Sequence, residues 1–269
     1  PFWLKSPRLN GGIASIKVAA MTTGPDLAAP LTGEAAEMPA SLKTASEDIR
    51  RGFVRKVYGI LAIQLVFTTC VAYPVASMSK EALQLEGGMI SILSLACLGV
   101  TMCTIMCCSE YCRIYPWNYC ILALLTFGNG LLIGLLCTFY TAPSIVLAAG
   151  ITGVTFISLT VYAWNTKSDV TGMGMYVSAA IMVLLLASVA LVFMQWFGLQ
   201  MPLFQKAIAV MGAMVFAFYI VYDTQLMLGS WGGHKVEFSV DDYVFAAINL
   251  YLDLINLFQY ILELIGTRD

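Results

Sequence analysis

Residues 114–166 read IYPWNYCILALLTFGNGLLIGLLCTFYTAPSIVLAAGITGVTFISLTVYAWNT, without one Asp, Glu, Lys or Arg. As a single helix this run would extend ~80 Å at the standard rise. A bilayer's hydrocarbon core is about 30 Å thick, so the run crosses it twice. Pro143, in Thr141-Ala142-Pro143-Ser144, marks the turn between the two crossings. Working outward, residues 57–79 and 87–109 are also free of charge. Residues 170–205 hold one span ending near Met201-Pro202, and two more follow at 207–228 and 243–265. The count is seven, and the expected fold is an all-α polytopic membrane protein, a seven-transmembrane-helix bundle.

Composition agrees. Of 269 residues, 59% are hydrophobic and 11% charged, with a net charge of −2 and a mean hydropathy of +0.82. A soluble domain of that composition would lack the polar surface that keeps it dispersed. A nucleic-acid binder would need a basic patch to displace counterions. Residues 1–49, by contrast, are rich in Ala, Thr, Pro, Gly and Ser without a sustained apolar period, and are expected to form a flexible cytosolic tail before a membrane domain at 50–269.

The distribution of Lys and Arg sets the expected orientation. Arg50, Arg51, Arg55 and Lys56 flank the first span, and Arg113, Lys167 and Lys235 fall in loops on the same side. Lys80, Lys206 and Arg268 fall on the other. This bias predicts a cytosolic N-terminus and an uncleaved first span acting as anchor.

The eight cysteines lie within or beside spans, which is no extracellular disulfide framework. Cys103, Cys107, Cys108 and Cys112 cluster near the inner end of the second span, but no His lies near them. They are expected to be packing or lipid-facing thiols, with palmitoylation of Cys108 or Cys112 as a lesser alternative. No cofactor is expected.

The chemistry sits in the last two spans. Each carries a carboxylate at membrane depth, Asp223 and Asp253, while the earlier spans carry none. Even on a lenient insertion scale such a charge costs about 2.5–3.5 kcal/mol, so it marks a site by default. Asn249, Asp253, Asn256, Tyr260 and Glu263 recur at helical spacing and predict one polar stripe facing the protein interior, with Leu254, off the stripe, facing lipid. Tyr219 and Asp223 share a face of the sixth span. Asp253 lies ~15 Å into the seventh, close enough in depth to meet Asp223 if the helices tilt. Gln64 and Asn129 are further buried polar candidates, and the flanking Gly128 and Gly130 predict close helix packing.

Two segments, Tyr219-Ile220-Val221-Tyr222-Asp223-Thr224-Gln225 and Leu250-Tyr251-Leu252-Asp253-Leu254-Ile255-Asn256-Leu257-Phe258, resemble the signatures of the Bax inhibitor family. Arg50-Arg51-Gly52-Phe53-Val54-Arg55-Lys56-Val57-Tyr58, Tyr115-Pro116-Trp117-Asn118 and Asp242-Tyr243-Val244-Phe245-Ala246-Ala247 resemble its Lifeguard branch. The resemblance spans about residues 47–266. It implies a bundle with the last helix central, and a pH-sensitive calcium leak of endoplasmic reticulum or Golgi membranes tied to suppression of cell death. In it, Asp223 and Asp253 gate ions and protons and hold calcium transiently, with Arg113 the nearest match to a basic latch. The implied partners are calcium ions, protons, membrane lipid and apoptosis-regulating membrane proteins, with no nucleic acid.

Two other functions compete. A non-transporting scaffold that binds apoptosis regulators would place the same residues in one membrane. An intramembrane aspartyl protease also sets two aspartates on consecutive helices, but it needs Gly-x-Gly-Asp where this chain has Leu250-Tyr251-Leu252-Asp253. A non-enzymatic role is therefore expected.

Overall fold

The computed structural model describes residues 40–107, 114–229, 238 and 242–268, with side chains from Asp48 onward. The chain divides into two units, Pro1–Ser46 and Glu47–Asp269. The described residues form seven helices long and apolar enough to cross a membrane, the first of them crossing over Asp48–Ala76. They are α1 (Ala40–Ala76), α2 (Lys80–Cys107), α3 (Trp117–Cys137), α4 (Ala142–Asn165), α5 (Gly174–Trp196), α6 (Pro202–Leu228) and α7 (Tyr243–Ile265). A short 3-10 turn, Thr171–Met173, leads into α5. The seven spans lie where the uncharged runs placed them. The turn between α3 and α4 falls just before Pro143, which occupies the first turn of α4, where its missing N–H leaves no bond unmade.

Lipid offers no hydrogen-bond partners, so a spanning chain must satisfy its polar groups internally. The helices do this for their backbones, and many polar side chains turn back onto their own helix. Thr126 donates to Leu122 O at 2.7 Å, Thr152 to Ala148 O at 2.7 Å, Thr101 to Cys97 O at 2.6 Å, and Asn129 Nδ2 to Leu125 O at 3.0 Å. Asn129 is thereby accounted for without a ligand.

Close packing of α3 depends on glycine. A Cβ on Gly130 would come within 2.8 Å of Val71 Cβ in α1, and one on Gly134 within 2.7 Å of Val75 Cβ and 2.9 Å of the Ala72 carbonyl oxygen. On the α2 side, Ser94 Oγ donates to the Gly128 carbonyl at 2.9 Å. The four-residue interval from Gly130 to Gly134 is the small-xxx-small pattern that lets membrane helices approach backbone to backbone.

The last helix is enclosed. α7 packs against α6, α4 and α3, and Tyr251 reaches α1 through a 2.8 Å bond between its hydroxyl and that of Thr68. No α7 residue before Ile265 is exposed. At its far end the chain is clasped to the α3–α4 turn: Thr141 N donates to Thr267 O and Thr267 N to Ser144 Oγ, both at 3.0 Å.

Gly134→Leu is expected to lower the unfolding midpoint of the detergent-solubilised protein, by an overpacking cost of about 1–3 kcal/mol. Gly99→Leu, where a Cβ meets nothing within 4 Å, should leave it unchanged.

Candidate functional site

Asp223 sits near the C-terminal end of α6 and Asp253 in the middle of α7, yet packing of the two helices brings their carboxyls within hydrogen-bonding reach of each other. The contact is possible because the helices approach closely. Gly212 of α6 lies so near the Tyr260 ring that a Cβ there would come within 2.6 Å of it, and Phe216 stacks on Tyr260 with centroids 5.9 Å apart. Asp223 is 6% exposed and Asp253 5%. Asp253 Oδ2 has no hydrogen-bond partner. Two carboxylates in such contact cannot both carry charge cheaply, so a proton between them, or a cation beside them, is the natural means of holding the pair.

The neighbours of the pair do structural work. Tyr219 is half-buried beside both acids, and its hydroxyl donates to Val177 O of α5 at 3.1 Å. It ties α6 to α5. Gln225, fully buried, accepts from Val170 N at 2.9 Å and donates to Ser168 O at 2.8 Å, fixing the α4–α5 connection. On α1, Gln64 Nε2 donates to Thr126 Oγ1 at 3.1 Å, so Gln64 links α1 to α3 and not to the acids.

The polar stripe of α7 departs from expectation. Only Asp253 is fully buried; Asn249, Asn256, Tyr260 and Glu263 are half-buried and mark the less enclosed side of the helix. Leu254, expected to face lipid, is 7% exposed. The reason is the central position of α7: with protein around it, apolar side chains fill the tightest contacts, and the longer polar groups lie where room remains. Asn256 Nδ2 donates to Leu252 O of its own helix at 2.7 Å, and Glu263 Oε1 accepts from Gln205 Nε2 of α6 at 2.6 Å. Arg113, with Cys108 and Cys112, lies outside the described residues. Cys103 and Cys107 are exposed on α2.

Sequence reasoning missed Arg50 as anything but a topology signal. It is 6% exposed; its Nη1 donates to the Phe238 carbonyl at 2.9 Å, and Phe238 N donates to Leu226 O at 3.1 Å. Phe238 packs edge-on to Phe245 of α7. Arg50 thus holds Phe238, which lies between α6 and α7 in sequence, beside Leu226 near the end of α6. A signal was available: Arg50 heads the buried face of α1 that continues through Phe53, Val54, Val57, Leu61, Gln64 and Thr68, a helical period that Arg51, Arg55 and Lys56 do not share.

A multi-pass membrane protein whose last two spans meet through a buried pair of carboxyls is the class that this fold and site define. Within it, the chain belongs to the Bax inhibitor family: a family model described as inhibitor of apoptosis-promoting Bax1 matches residues 50–269. It is similar to human protein lifeguard 3, 31% identical over 82% of this chain and 70% of that protein. The mouse lifeguard 3 is 29% identical over 82% of this chain and 71% of its own length. The Golgi anti-apoptotic protein of vaccinia virus (strain Lister) is 31% identical over 85% of this chain and 91% of the viral protein.

Gln225→Leu should strand the Val170 N–H and the Ser168 carbonyl and destabilise the protein by about 1–3 kcal/mol. Chemical denaturation in detergent measures this, and an unchanged midpoint would show that Gln225 does not hold the connection.

Proposed function

We propose that this protein is a pH-sensitive calcium leak of an intracellular membrane, Golgi or endoplasmic reticulum, that suppresses cell death by moderating stored calcium. The observation that carries the reading is the contact of Asp223 with Asp253 inside the membrane domain, with one oxygen of Asp253 left unpartnered. With a proton shared, the carboxyls bond to each other and hold α6 against α7. When the proton leaves, two like charges remain, and they must separate or recruit a cation. Calcium suits the site because it prefers hard oxygen ligands. Two carboxyls fall well short of the six to eight oxygens of a full calcium shell, so water completes it and the ion is held weakly. A conduction path requires that, since an ion bound too well does not leave.

The Arg-rich start of α1 supports a cytosolic N-terminus, and with it a cytosolic side for Arg50. The family's description and the viral relative's name support an anti-apoptotic role, and the viral relative's name supports the Golgi. No catalytic role is proposed for the aspartates: Asp253 follows Leu252 on a regular helix, with none of the glycine-opened backbone that an aspartyl protease uses to admit a peptide.

Calcium flux from liposomes is the test. Wild-type protein should leak calcium with a clear step in its pH profile, and Asp223→Asn and Asp253→Asn should each abolish the step. If both variants keep the wild-type profile, the pair is not the gate. If purified protein carries no flux at any pH, a non-transporting scaffold for apoptosis regulators is the better reading.

A further inference from the structure

The Arg-rich end of the bundle carries a second feature, unrelated to the aspartates. Lys56 and Gly59 of α1, Tyr119 of α3 and Tyr243 of α7 line a groove of about 240 Å³, floored further along α1 by Ile60 and Ile63. The three helices all begin at this end, so the groove opens at the level where aromatic and basic side chains meet headgroups. Its polar rim is compact. The Lys56 ammonium stands 5.1 Å above the Tyr243 ring centroid, and the Tyr119 and Tyr243 hydroxyls lie within hydrogen-bonding reach of each other.

Its lower part is apolar and open. Nothing lies within 4 Å of where a Gly59 Cβ would stand, and Ile63 is 71% exposed. The same face of α1 continues at three- and four-residue intervals through Val66 and Cys70, which with Leu65 and Thr69 line a further hollow of about 300 Å³. From Lys56 to Cys70 this track runs ~21 Å along the helix, against about 15 Å for half a hydrocarbon core. A cationic and hydroxylic mouth above a long apolar track matches one kind of occupant.

We propose that the groove between α1, α3 and α7 binds one anionic phospholipid, its phosphate at Lys56 and the two tyrosine hydroxyls and an acyl chain along Gly59, Ile63 and Val66. Arg55, exposed on the adjoining turn of α1, adds charge of the same sign beside the mouth. A zwitterionic lipid fits the track but its neutral headgroup gains less from the Lys56 ammonium, so the site is proposed to select for headgroup charge. The lipid then sits against the first residue of α7, the helix that carries Asp253.

Glycine supplies a clean perturbation, because a Cβ at Gly59 meets nothing within 4 Å and Gly59→Leu projects its side chain into the groove. The experiment is native mass spectrometry of the detergent-solubilised full chain, titrated with dioleoylphosphatidylserine or dioleoylphosphatidylcholine. Wild type should retain one phosphatidylserine in preference to phosphatidylcholine. Gly59→Leu should abolish that preference, Lys56→Gln should weaken retention about fivefold, and Gly150→Leu, in open space on α4, should change nothing. Inorganic phosphate should not displace the lipid, since the track and not the headgroup alone holds it. Equal retention of both lipids by wild type, undiminished retention by Gly59→Leu together with Lys56→Gln, or displacement by phosphate would each overturn the proposal.

Discussion

Two carboxyl groups touching inside a membrane domain impose conditions on everything around them. They must be shielded from lipid, where an unpaired charge is costly, and held close enough that a shared proton or a cation is worth more than separation. The enclosure of α7 meets the first condition and its tight seat against α6, with Gly212 beneath Tyr260, meets the second. The remaining polar groups of the interior are mostly settled by bonds to their own helix or by pairs such as Thr68 with Tyr251. In the proposed function the acids are the place where the interior changes state.

Both ends of the bundle are tied down independently of that pair. Near Asp223, Gln225 grips the α4–α5 connection, and Arg50 and Leu226 hold the backbone of Phe238 from either side. At the other end the residues after α7 are clasped to the α3–α4 turn. A helix anchored at both termini can respond to charge in its middle without leaving the bundle, which is what the proposed gate requires.

The spans and the aspartates were legible in the sequence for one reason: in lipid, charge placement is nearly the whole of topology. Uncharged runs had to cross, and a carboxylate within one had to be buried, so Asp223 and Asp253 stood out without any knowledge of packing. The face of α7 was not legible. The stripe of Asn249, Asn256, Tyr260 and Glu263 was assigned to the interior by a rule suited to a peripheral helix, and in a central helix apolar Leu254 and Leu257 are buried at least as deeply. Gln225 stayed hidden because its bonds go to backbone groups 55 and 57 residues away, a pairing that no local pattern encodes. Arg50 could have been found, since its register matches the buried face of α1, but the orientation signal of its basic neighbours masked it.

The central claim is that Asp223 and Asp253 act as one titrating unit. Infrared difference spectroscopy of carboxyl groups, recorded across a pH series on protein in lipid bilayers, tests it directly. Coupled acids release their protons in two steps that belong to the pair. The account predicts a two-step carboxyl titration in wild type, collapsing to a single, displaced step in both Asp223→Asn and Asp253→Asn. Variants that each remove one step and leave the other unmoved would show two independent acids, and the account would fail.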